Sequence, residues 1–187
     1  GFTRPASKKE WLLWVPPLII PLYILVSFGF NVSEWSTAVV LLITAFCVAV
    51  NEEVIFRGAF VKGFLRFGPM ITIFVPALLF GLIHIGNIFG GGDATFAAYQ
   101  ILWATAGAIA LTALRLRNKS IYPAIAFHFI LDIVEFFSTG ENGVHQTGFE
   151  LNSLIIFLVL NVLFAIYAVI AFKKSTDKKV PVASIEG

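Results

Sequence analysis

Seven ionisable side chains stand inside otherwise apolar stretches of this chain: Glu52, Glu53, Arg57, His84, His128, Asp132 and Glu135. A charged group in hydrocarbon costs a few kcal/mol or more, so each such residue is a functional candidate. Helical spacing separates their roles, because residues four apart share a face and adjacent ones point about 100° apart. Glu53 and Arg57 therefore face together and are expected to form an ion pair that makes Arg57 tolerable in the membrane. Glu52 is then turned away, toward a cavity. His128 and Asp132 also share a face, where the carboxylate can accept from one imidazole nitrogen and fix the ring. His84 follows Phe80 by one turn.

This set suits peptide hydrolysis by an activated water. A carboxylate shielded from bulk solvent can serve as general base, and an imidazole can stabilise the oxyanion. Neither a GxSxG elbow nor an HExxH zinc helix occurs in the sequence. Glu52, His84 and His128 also amount to one carboxylate and two imidazoles with an open position, the ligand set of many catalytic zinc sites. A divalent metal such as zinc is thus an alternative that these residues by themselves leave open. Two other function classes compete: an ion- or proton-coupled transporter, which uses the same residue types, and a membrane scaffold without proteolysis. Carriers of that kind commonly show inverted repeats, and no internal repeat is visible here.

The elements that must hold these residues are membrane helices. The chain has 187 residues, 58% hydrophobic and 13% charged, with mean hydropathy +0.89, whereas soluble domains are about 45–50% apolar and about 25% charged. Six stretches approach the roughly 20 residues a span requires: 11–30, 35–60, 69–88, 95–114, 120–137 and 151–172. The expected fold is an all-α, polytopic transmembrane bundle, a single domain over 1–187 with a flexible tail at 175–187. Gly1 is not an initiator Met, so six is a minimum count.

Basic residues accumulate on the cytoplasmic side of short loops. Here Arg4, Lys8 and Lys9 precede the first span, Lys62 and Arg66 follow the second, Arg115, Arg117 and Lys119 follow the fourth, and Lys173, Lys174, Lys178 and Lys179 follow the sixth. The alternate loops carry Glu34, Asp93, Glu141 and Glu150, which puts both termini in the cytoplasm. The net charge of +2 comes from these flanks, and nothing indicates nucleic-acid binding. Asn31 and Ser33 are expected to cap the second helix. Gly63, Gly68 and Pro69 mark the next turn, and Gly90, Gly91 and Gly92 the following loop. Cys47, the single cysteine, reads as core packing, and His145 as solvated in a polar external loop. One conflict remains: Glu52 falls near the cytoplasmic end of the second span, whereas His84 lies about 22 Å beyond Pro69 at 1.5 Å per residue.

Glu52 Glu53 Val54 Ile55 Phe56 Arg57 resembles the EExxxR motif of the CPBP family, the intramembrane CAAX proteases and bacteriocin-processing enzymes. Phe80 to His84 is similar to that family's FxxxH, and His128 to Asp132 to its HxxxN/D, after the lead-in Ser120 Ile121 Tyr122 Pro123 Ala124 Ile125. The resemblance spans about 40–137, with each motif on its own helix. It implies an intramembrane endopeptidase in which Glu52 activates water with help from His84. Glu53 and Arg57 then act as support, and His128 with Asp132 serves the oxyanion. Where relatives have Asn at the last position, Asp132 lacks an amide donor and is expected to orient His128. The resemblance also implies a peptide or protein substrate at the lipid bilayer and a multi-pass protein, in the plasma membrane of a prokaryote. It specifies neither a metal nor an oligomeric state.

In a background lacking Cys47, a cysteine at Ser175 is expected to react with a membrane-impermeant thiol reagent only after cells are opened. Labelling in intact cells would reverse the orientation.

Overall fold

The computed structural model describes residues 2–5, 7–139 and 151–177, and all regular elements among them are helical. His145, the glycines around it, Glu141, Glu150 and residues 178–187 lie outside the described residues. The helices are α1 (Lys8–Leu12), α2 (Ile19–Phe28), α3 (Trp35–Glu53), α4 (Val61–Phe64), α5 (Pro69–Ile83), α6 (Gly86–Phe89), α7 (Ala94–Asn118), α8 (Tyr122–Thr139) and α9 (Leu151–Asp177). Five stretches are long and apolar enough to cross a membrane: Lys8–Phe28, Trp35–Phe67, Pro69–Phe89, Ala94–Asn118 and Leu151–Thr176. The sixth expected span, 120–137, is present as α8 but is not among these five. Its apolar run is interrupted by His128, Asp132 and Glu135, and it packs mainly against α3 and α2.

Local sequence explains where the helices break. Pro16 and Pro17 lack backbone N–H groups, and a short 3-10 turn at Pro16–Leu18 separates α1 from α2. Gly68, at φ +88°, and Pro69 at the first position of α5 form the tight turn before that helix. Asp93 caps α7, its Oδ1 accepting from Phe96 N at 2.7 Å. Asn31 does not cap α3, which begins after Glu34. Its side chain instead donates to the carbonyls of Phe28 and Ser138, and its N–H donates to Phe137 O at 2.7 Å. Asn31 thereby ties the α2–α3 link to the end of α8. Gly63 lies within α4 rather than in the turn.

The second span is longer than the sequence suggested, and this removes the depth conflict. A π-helical segment, Val54–Phe60, then α4 and a 3-10 turn at Leu65–Phe67 continue α3 as one rod to Phe67. Glu52 lies 15 residues before Phe67 and His84 lies 15 residues after Pro69. With arms of about 22 Å each, the hairpin brings the two side chains level. Ending the rod at 60 had omitted about 10 Å of helix.

At the centre stands α7, with 61% of its most apolar stretch buried against 39% or less in the other four spans. Ala104, Ala106, Gly107, Ala108, Ala110 and Ala113 keep it slim, as close helix packing in a bilayer requires. On the α5 side, a Cβ at Gly81 would lie 2.7 Å from the Ile101 carbonyl oxygen and collide with Thr105 Oγ1. Large apolar side chains such as Val40, Ile43, Leu78, Val159 and Leu163 are exposed along the outside, the surface a lipid-facing bundle presents. Cys47 is exposed as well; it sits on the outer face of α3, not in the core.

Gly81→Leu should force α5 away from α7. Its melting temperature in detergent is expected to fall by several degrees or more, while Leu78→Ala on the outer face of the same helix changes it little.

Candidate functional site

The site begins with the π-helical segment. In an α-helix the Val61 N–H would bond the Arg57 carbonyl, but here it reaches Phe56 O and Gly58 O. The Arg57 carbonyl is instead met by Arg115 of α7, whose Nε donates to it at 3.0 Å. Single π turns inside α-helices are frequent at functional sites because they re-aim side chains. This one lies directly after Glu52 and Glu53 and contains Arg57.

Glu53 and Arg57 form the ion pair read from their spacing, with Nη1 to Oε1 at 2.9 Å and relative exposures of 0% and 1%. The Arg57 guanidinium lies over the Phe80 ring, 4.4 Å from its centroid, a favourable cation–π placement. Phe80 also meets Phe56, His84 and His128 edge-on, at 5.0, 5.3 and 6.2 Å between centroids. The aromatic of the FxxxH pattern is thus the spacer that holds the charged groups apart.

His128 donates from Nδ1 to Glu53 Oε1 at 2.8 Å, so Glu53 is its closest orienting partner. The sequence reading gave that role to Asp132 alone, because i,i+4 spacing on one helix is visible and a contact between α3 and α8 is not. Asp132 is nevertheless near, its Oδ1 lying 3.4 Å from His128 Nε2. Its buried Oδ2 has no hydrogen-bond partner among the described residues. Glu52 Oε2 stands 3.7 Å from His128 Nε2, beyond direct hydrogen-bond distance. Just past the end of α5, His84 Nδ1 donates to the Phe80 carbonyl at 3.0 Å. Because a carbonyl only accepts, Nδ1 carries a proton.

Glu52, Arg57, His84, His128 and Asp132 line one cavity of about 370 Å³, the size of a small-ligand site, and Glu53 lies directly behind His128. Glu135 lines it too, a residue singled out by its place in a span but given no role. Sequence reasoning missed Asn87, Gln100 and Asn161, which also face the cavity. A carboxamide within an apolar span such as Asn161 was the available signal. Arg115 was also missed, having been read as a flanking charge; α7 runs past it to Asn118.

No group of three or more His, Cys, Asp or Glu among the described residues is arranged to hold a metal ion.

Residues 34–134 match the family described as Type II CAAX prenyl endopeptidase Rce1-like. No curated protein and no solved structure matches the chain.

Replacing Arg57 by Ala leaves Glu53 buried without its partner, a loss of about 3–5 kcal/mol. A clear drop in melting temperature is expected for Arg57→Ala, and a smaller one for Arg115→Ala. A melt of Arg57→Ala that overlays the parent's would contradict the buried pair.

Proposed function

Because the chain belongs to the Rce1-like family of type II CAAX prenyl endopeptidases, an intramembrane protease family, we propose that it hydrolyses peptide bonds at the membrane with Glu52 as the base. The observation that carries this reading is the separation of 3.7 Å between Glu52 Oε2 and His128 Nε2, across a cavity that His84 also lines.

A water between Glu52 and His84 Nε2 gives one proton to the Glu52 carboxylate, while its oxygen bonds the scissile carbonyl carbon and the C=O π pair moves to oxygen. That oxyanion is met by His128 Nε2 when it bears a proton, with the ring held by Glu53 through Nδ1. Such preorganised donors supply a large share of acyl-transfer catalysis. On collapse, the C–N bond breaks and Glu52 returns its proton to the departing nitrogen, leaving a carboxylic acid and an amine. Asp132 borders the same nitrogen of His128, and we assign it to orienting that ring. The family's name points to prenylated tails of the CAAX type as the substrate class.

Glu52→Gln keeps the shape and loses the base. General-base assistance is typically worth about 10²–10⁴-fold, so cleavage of a farnesylated CAAX peptide should fall by that order with the melting temperature near the parent's. Near-normal turnover would move the base to another carboxylate.

A further inference from the structure

An extended peptide inside a bilayer cannot leave its own N–H and C=O groups unpaired, since each unsatisfied group there costs several kcal/mol. A site that acts on such a chain must supply donors and acceptors along the backbone, beyond those aimed at the scissile carbonyl. Neutral amides do this without the desolvation penalty of a charge. The cavity contains three of them, none within the sequence motifs: Asn87 from α6, Gln100 from α7 and Asn161 from α9.

Each is fixed by one hydrogen bond and keeps capacity to spare. Asn87 Nδ2 donates to Gln100 Oε1 at 2.7 Å, leaving the Gln100 Nε2 donors and the Asn87 Oδ1 acceptor. Asn161, 4% exposed, donates from Nδ2 to Phe157 O at 2.9 Å, leaving Oδ1 as an acceptor. A Cβ at Gly107 would stand 3.0 Å from that oxygen, so glycine at 107 keeps it uncrowded. Neighbouring Ala108 packs with Phe80 and Phe56, which puts Asn161 at the depth of the Arg57–Phe80 contact.

Gln100, Ala104 and Gly107 lie on one stripe of α7 facing the cavity. From Gln100 to Gly107 is seven residues, about 10.5 Å of helix. Three residues of extended peptide span about 10 Å. We propose that Asn87, Gln100 and Asn161 form a backbone-binding subsite for an extended segment of about three residues adjoining the scissile bond. The subsite reads main chain rather than side chains, and it rests on the peptidase reading above.

The probe is a farnesylated CAAX peptide together with analogues in which single amides flanking the scissile bond are replaced by esters, assayed on the full chain in nanodiscs. One ester should lower kcat/KM for the parent by about fivefold, the worth of one hydrogen bond, mainly through KM. Asn161→Leu or Asn87→Leu, each removing an acceptor for a peptide N–H, should cost a similar factor on the all-amide peptide, and the matching ester should then cost nothing more. Gly107→Ala, which keeps Asn161 but crowds its oxygen, should raise KM in the same sense. This second variant protects the test against simple misfolding of Asn161→Leu. Absence of any ester penalty in the parent overturns the subsite, as does a penalty undiminished in both Leu variants. If the parent cleaves none of the peptides, the peptidase reading falls and the subsite with it.

Discussion

Glu53 Oε1 meets two side chains at once, pairing with the Arg57 guanidinium at 2.9 Å and accepting from His128 Nδ1 at 2.8 Å, and the rest of the site is arranged around that oxygen. One contact lies within the long rod of α3 and its π segment; the other crosses to α8. Taking a carboxylate and a guanidinium out of water is expensive, and buried ion pairs rarely add net stability. What this pair supplies is position. It fixes the rotation of the rod, and with it the direction of Glu52, while holding the His128 ring so that Nε2 looks into the cavity.

The surroundings make that arrangement tolerable. The Phe80 ring covers the guanidinium, and Arg115 takes the Arg57 carbonyl that the π turn releases. Beyond this core, Arg117 binds Glu10 at 3.0 Å and the Ala171 carbonyl at 2.6 Å, and Tyr167 donates to the Leu13 carbonyl at 3.1 Å. The basic end of α7 therefore anchors α1 and α9 as well as the π segment. Charges that read as membrane-flanking markers also act as joints between helices.

Small residues on α7 leave room for the cavity. Trp103, Phe127 and Phe157 belong to the large apolar cluster and wall the cavity as well, while Ala104, Gly107 and Ala108 border the open space along α7. Two sides of the cavity differ in chemistry accordingly. The charged side comes from α3, its π segment and α8, while α6, α7 and α9 contribute amides and apolar surface.

Sequence alone determined the helical membrane fold, because apolar runs of span length have few alternatives in lipid. It also determined the Glu53–Arg57 pairing and the outward turn of Glu52, since helical periodicity dictates which neighbours share a face. The resemblance in three short motifs located His84, His128 and Asp132, and the family match over 34–134 agrees with that family. Tertiary structure decided the remainder. The bond from His128 to Glu53 joins residues 75 apart in the chain, and Arg115 reaches Arg57 over 58, so no local period records either. The common depth of Glu52 and His84 depends on a π turn and a helical extension to Phe67, whose hydrogen-bond shifts leave no mark in apolar composition. The exposure of Cys47 and the inward aim of Asn161 follow from which helix packs on which, a choice made between whole faces and not residue by residue.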